Sequence, residues 1–381
     1  MTEEFGRRIS QYWQRIQSNL FPFMEEEAGP CLDSHYRVIM ALEVARIEEF
    51  IKEGYQGWAG RPTEDRKVIA RAFVAKAVLN IPTTKQLIER LQVDRVLCRI
   101  VGYERLKDIP SESTFLRAFG EFAKSDLVNL VHEALIAATQ SKGLIGHISR
   151  DSTEIEAREK PIKKDKEEVV TSSKRGRPRK GEEFSQKPVP RLERQTTMTL
   201  EEMLKDLPTA CDVGAKRNSK GYKETWAGYK LHIDSADGQL PISCVLTSAS
   251  VHDSQVAIPL ATITNGRVTN CYDLMDSAYD APQIKEHSIS LGHVPIIDIN
   301  PRNPQRKQEI LEEEARLRLL NFQLPEQVRY NNRSNAERVN ARLKDEFGGR
   351  FVRVRGHAKV FCHLMFGILA LTVDQLMRLS I

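Results

Sequence analysis

The chain is 381 residues long, and at ~150 residues per domain it has room for two or three units and a substantial core. It carries 57 lysines and arginines against 52 aspartates and glutamates, a net charge of +5 that is too modest to declare a polyanionic partner from the total alone. Six cysteines, at positions 31, 98, 211, 244, 271 and 362, form no C-x-x-C pair, which speaks against a zinc ribbon or a disulfide framework and for a reducing cytoplasm.

The opening residues, MTEEFGRRISQ, place acids where a signal peptide needs bases, and no apolar core follows. Residues 1 to about 140 read as a block of short helices. Starts fall at Thr63, Thr84, Ser113 and Ser125, each a capping residue ahead of apolar positions at three-to-four spacing. Pro62, Pro82 and Pro110 punctuate the intervals. The pattern changes at LIGHIS, residues 144–149, a short apolar-rich strand that runs into Arg150 and Asp151.

From about 157 to 196 the chain is highly charged and poor in apolar residues. That is the composition of a disordered insert, assigned here to about 157–210, with a short capped helix expected from Thr199. Within the insert, residues 174–180 hold five bases in seven positions. Strands return at 224–234 and 239–249, joined by an Asp237-Gly238 turn. A helix is expected over 252–262, a strand over 270–276, a helix over 281–292 and a strand over 293–300. Two long helices follow, near 305–320 and 334–347, then a C-terminal helix from about 357. Its nearly apolar run, 360–373, has 14 residues, short of the ~18 a bilayer span needs, so it reads as a buried helix and no membrane partner is expected.

The most pointed stretch is YNNRSNAERVNARLK, residues 330–344. At ~100° per residue, Tyr330, Arg333, Glu337 and Lys344 fall within about 60° of each other on one helix face. Ala336, Val339, Leu343 and Phe347 gather on a neighbouring face that would pack on a core. A structural explanation competes with a functional one. Arg333 and Glu337 are i,i+4 partners of the kind that stabilises ordinary helices by ~0.2–0.5 kcal/mol. Ser334 and Glu337 also spell an S-x-x-E capping box with Ser334 as N-cap, which would leave Tyr330 and Arg333 in the lead-in.

The Y-R-E-K spacing resembles that of bacterial insertion-sequence transposases of the DDE type. RDSTEIEARE, from Arg150, resembles their first-aspartate motif, and DLMDSAYDA, from Asp273, the second. The likeness covers roughly 144–375 and, more loosely, 60–140. It implies an α/β fold: an RNase H-like mixed five-stranded sheet flanked by helices, over 141–381, behind a helical N-terminal domain, 1–140, that binds DNA ends. In that fold the first and fourth strands lie side by side and parallel, and ligands collect beyond their carboxyl ends. Asp151 ends the first strand, Asp276 the fourth, and Glu337 arrives from a helix packed across them. These three acids are the expected catalytic and metal-binding residues, with Tyr330, Arg333 and Lys344 as DNA contacts.

Two Mg²⁺ or Mn²⁺ ions ~4 Å apart would activate the attacking oxygen and stabilise the leaving one, and oxygen ligands suit both metals. The resemblance further implies cleavage at terminal inverted repeats, attack of the freed 3′-OH on target DNA, double-stranded DNA as partner at both ends and target, and a homo-oligomer bridging two ends. Such a protein would associate with the nucleoid. Arg175-Gly176-Arg177-Pro178 resembles an AT-hook, whose extended R-G-R enters the minor groove of A·T tracts; a solvated charged linker is the plainer reading. Four other acids have local explanations: Asp253 and Asp280 as N-caps, and Glu154 and Glu156 as surface charges. Asp273 would lie inside a strand, where an acid is costly. Two other functions stay open, a catalytically silent DNA-binding protein and a related metal-dependent nuclease.

Overall fold

The computed structural model describes residues 29–51, 64–162, 189–217, 221–300 and 304–379. Helices α1 (Asp33–Ala45), α2 (Arg66–Val78), α3 (Thr84–Val93), α4 (Arg95–Val101), α5 (Glu112–Lys124) and α6 (Leu127–Gln140) come first. The sheet and its helices follow: β1 (Leu144–Glu156), α7 (Arg191–Gln195), α8 (Leu200–Asp206), β2 (Asp212–Arg217), β3 (Lys223–Ala236), β4 (Leu240–Ser248), α9 (Ser254–Arg267), β5 (Thr269–Met275), α10 (Pro282–Ser290) and β6 (Val294–Ile297). The chain ends with α11 (Pro304–Leu319), α12 (Pro325–Tyr330), α13 (Ser334–Glu346) and α14 (His357–Arg378).

The early helices start where short polar side chains can hold free amides. Thr83 Oγ1 accepts from the Gln86 amide at 3.1 Å ahead of α3, and Asp94 Oδ1 from Leu97 at 2.9 Å ahead of α4. Phe115, Phe119 and Phe122, at helical spacing on α5, point inward. Phe119 lies 5.0 Å from the Phe73 ring of α2, and Phe73 lies 5.7 Å from Phe366 of α14. α14 has 22 residues and is apolar enough to cross a membrane by length, yet it lies inside the protein, packed against α1, α2, α5, α6 and β4. One contiguous core therefore runs from the helical block through α14 into the sheet.

The sheet is mixed and six-stranded. Its order is β2-β3-β1-β5-β6, with β4 also on β3. β3 runs antiparallel to β1, and β5 and β6 run parallel to it. β1 and β5, which lead to Asp151 and Asp276, lie side by side and parallel as expected, but the sheet has six strands rather than the expected five. The extra strand is β2, which lies on Lys223–Gly228 of β3 while β4 covers the rest of that edge. Its sequence, DVGAKR, has neither apolar alternation nor β-branched weight, so nothing local announces it. The chain over 189–210, assigned above to the insert, contains α7 and α8. The latter carries the expected cap, with Thr199 and Glu202 closing a reciprocal capping box.

β1 is longer than expected. Asp151 does not end it, because β3 goes on pairing with it as far as Glu156. β5 leaves earlier: its last pair with β1 is Ser149–Leu274. Asp151 thus sits where β1 loses its parallel neighbour, which opens one side of the strand to ligands. α13 lies across this point on β1 and β3, backed by α14. A Cβ at Gly367 of α14 would stand 2.5 Å from the Phe347 carbonyl, so glycine is what lets α14 seat the end of α13 this closely.

Candidate catalytic site

The parallel register brings two acids together. Ser149 stands beside Leu274, and carrying that register two residues further sets Asp151 beside Asp276. Behind them, the side chain of Arg150 turns to the opposite face of β1. It is 2% exposed and forks onto Asp234 of β3, itself fully buried, at 2.8 and 2.7 Å. Its Nη1 also meets Met275 Sδ at 3.3 Å. Burial works against this charge, but Asp234 and Asp273 hold the guanidinium above its ordinary pKa. Arg150 therefore ties β3, β1 and β5 together one residue before both acids. Asp273 is buried, as expected, but it is satisfied by Asn270, Ser288 and His293.

Burial pushes Asp151 up to about 6, against the pull of the Ser152 amide and Arg333, and the charges of Asp276 and Asp253 add to the rise. Burial and the charge of Asp253 likewise raise Asp276, whose Oδ1 accepts from the Ala278 amide at 2.9 Å. Two carboxylates that burial and mutual repulsion make reluctant to ionise form a site that favours a cation.

α13 meets this pair through a residue not singled out in the sequence. Asn340 Nδ2 donates to Asp151 Oδ2 at 3.1 Å, and its Oδ1 is buried without a partner. The signal was present: Glu337, Asn340 and Lys344 follow three-and-four spacing on one face. Arg333 feels the charge of Asp151, but its Nη2 is bound to Glu337 Oε1 at 2.6 Å, and Glu337 is 55% exposed. Tyr330 stands against Arg333, whose guanidinium is 5.7 Å from its ring. The capping box at Ser334 does not form. Helix α12 leads through a 3₁₀ turn, Asn331–Arg333, straight into α13, and Ser334 Oγ donates back to Asn331.

Lys344 shares this face but meets a different partner. It donates to Glu154 Oε1 at 2.8 Å, while Lys216 of β2 takes Oε2 at 2.9 Å. Glu154 is half-buried and paired rather than a free surface charge: burial would raise it, but the two lysines pull it down to about 2. Asp253 and Asp280 are not side-chain caps either. Asp253 precedes α9 with no cap bond and accepts instead from Ser152 and Lys230. Asp280 pairs with Lys285 at 2.6 Å and accepts from the Asn300 amide. Arg175 and Arg177 lie outside the described residues.

Among the described residues, no three His, Cys, Asp or Glu side chains stand together at metal-holding distance. The donor set still fits a hard divalent ion in kind. Asp151 and Asp276 offer oxygen only, and one or two carboxylates completed by phosphate oxygens and water suit Mg²⁺. Glu337 would have to leave Arg333 to join them.

The family profile described as "Transposase DDE domain" matches residues 142–373, and a second, "Transposase domain (DUF772)", matches 29–121. Two curated proteins described as "Probable transposase for insertion sequence element ISH11", from two strains of Halobacterium salinarum, are each 27% identical over 143 residues, covering 36% of this chain and 43% of theirs. The match thus spans under half the length of those relatives. No solved structure matches the chain. The DDE match covers more than half of the sequence, including the whole sheet and the helix that carries Glu337, and the chain belongs to the DDE-domain transposase family.

Proposed function

We propose that this chain is a DNA transposase that cuts at terminal inverted repeats and joins the freed 3′-OH ends to target DNA. Asp151, Asp276 and Glu337 are its catalytic acids. The observation that carries this reading is the β1–β5 register, which leads Asp151 and Asp276 to one open strand end within reach of the Arg333 charge. The family is generally dependent on divalent metal. Mg²⁺ or Mn²⁺ held by Asp151, Asp276 and Glu337 would activate the attacking oxygen and stabilise the leaving one.

The chain's own groups do the rest. Asp151 and Asp276 would hold such a cation, whose charge would offset the cost of two ionised carboxylates in a buried setting. Asn340 orients Asp151 by its hydrogen bond. Arg333 passes from Glu337 to a DNA phosphate, freeing the carboxylate to turn toward the pair. Tyr330 flanks that phosphate, and Lys344 contacts the backbone further along. We assign DNA-end binding to the helical block, minor-groove contact to Arg175 and Arg177, and a homo-oligomer to the assembled complex.

The test is metal-dependent nicking of inverted-repeat DNA by Asp151→Asn, Asp276→Asn and Glu337→Gln. Each variant is expected to lose cleavage while keeping duplex binding. Near-normal cleavage by any one of them removes that residue from the site.

A further inference from the structure

Asp253 is the unexpected acid beside this site. It stands at the start of α9, yet its carboxylate turns from the helix amides toward the sheet. Oδ1 accepts from Ser152 Oγ at 2.9 Å and from Lys230 Nζ at 3.0 Å. Lys230 is held in turn by the Val251 carbonyl at 2.9 Å. Ser152 follows Asp151 in β1, so Asp253 reaches the catalytic strand one residue beyond the acid. Three largely buried carboxylates, Asp151, Asp276 and Asp253, act on one another here.

Two orphaned polar atoms border the same space. Tyr279 is 1% exposed and its Oη has no hydrogen-bond partner. The carboxylates that bear on it are Asp253, Asp151 and Asp276. His232 Nδ1 is likewise buried and unbonded, 3.9 Å from Asp253 Oδ1. A buried phenol left unsatisfied costs ~1–3 kcal/mol. Tyr279 closes the 3₁₀ turn that follows Asp276, so its unsatisfied hydroxyl is left for a polar guest on that side of the acid pair.

We infer that Asp253 and Tyr279 form an outer wall of the divalent-cation site, holding water bound to a cation that Asp151 and Asp276 ligate. Asp253 is a positioning residue: its charge draws the cation in, and Ser152 and Lys230 fix its carboxylate. Tyr279 Oη gains in the bound cation's water the partner it lacks. Outer-sphere groups of this kind govern metal affinity without touching the ion, and losing one typically costs ~10–100-fold. This inference rests on the carboxylate pair being the metal centre.

The experiment titrates the full chain with Mn²⁺ and follows free Mn²⁺ by electron paramagnetic resonance, without DNA. Asp253→Asn keeps the acceptor for Ser152 and Lys230, and Tyr279→Phe removes only the hydroxyl. Each is expected to weaken Mn²⁺ binding by ~10–100-fold. Asp253→Asn combined with Lys230→Met restores the local charge balance and is expected to stay weak. Unchanged affinity per folded molecule, even with a lowered melting temperature, would overturn the inference and leave a structural salt bridge. If Asp253→Asn fails to fold, Tyr279→Phe decides by the same criterion. Asp151→Asn separates the two claims. If it abolishes Mn²⁺ binding while the wall variants bind normally, only this inference falls; if it binds as well as the wild type, the metal-centre reading falls with it.

Discussion

Replacing Asp151 by asparagine should stabilise the protein while destroying its function. The carboxyl is pushed from 3.8 to about 6 in the fold, with burial as the largest cause. Between those values the native state holds a proton that the unfolded chain has released, so stability falls as pH rises through that window. Above about pH 6 the whole cost is present. At ~1.36 kcal/mol per pKa unit, the ceiling is about 3 kcal/mol. Asparagine removes the charge and keeps an oxygen for Asn340 Nδ2. Its own amide can meet Asn340 Oδ1, which is buried without a partner. In chelator at pH 7.5 the variant should melt roughly 3–6 °C higher than the wild type, and at pH 4 the two should nearly coincide. Adding Mn²⁺ at pH 7.5 should raise the wild-type midpoint by mass action and leave the variant unmoved. Calorimetry or dye-binding melts read all three conditions. A variant less stable than the wild type at pH 7.5 in chelator would refute the reasoning and make Asp151 a structural acceptor.

Three further outcomes are expected. Arg150→Met leaves Asp234 buried without its fork and should cost ~3–5 kcal/mol by urea denaturation, with much of the loss recovered in Arg150→Met combined with Asp234→Leu; a loss under ~1 kcal/mol would mean the pair does not brace the three strands. Lys344→Ala should change stability by no more than ~1 kcal/mol, since Glu154 keeps Lys216, while weakening end-DNA binding in a mobility-shift titration; normal binding per folded molecule would reduce Lys344 to a salt bridge. Deleting residues 174–180 should flatten the salt dependence of A·T-rich duplex binding, by about 0.9 in log affinity against log salt for each phosphate contact removed; superimposable lines would remove Arg175 and Arg177 from the DNA.

The sheet centre was legible because each strand announces itself locally. LIGHIS and NCYDLMD are short apolar runs, and each leads into its acid. The buried role of α14 was legible from a run too short for a bilayer, though the helix itself is longer. What escaped was tertiary. Asp253 precedes an apolar helix, so local rules make it a cap, and only the approach of Ser152 and Lys230 from two strands gives it a different partner. The Ser334 box failed because α12 and a 3₁₀ turn feed α13 without a break, leaving no free helix end to cap. β2 is a polar edge strand whose only strand signal is the neighbour it pairs with.

The helical wheel was right about angle and silent about height. Glu337 and Lys344 share a face, but they lie seven positions apart, about 10 Å along the axis. Each polar position on that face therefore meets a different level of the sheet. Lys344 reaches Glu154 and Asn340 reaches Asp151, both on β1. Behind them Gly367 keeps α14 tight against the end of the helix. Two side-chain bonds and a close backbone contact thus pin the latter half of α13. The first turn is held differently, because Glu337 bonds to Arg333 on its own segment and is more than half exposed. An i,i+4 pair of that kind is worth only ~0.2–0.5 kcal/mol, which a phosphate on Arg333 or a cation beside Asp151 can outbid. Glu337 sits at the loosely held end of a firmly held helix, where a small exchange of partners moves a carboxylate without moving the fold.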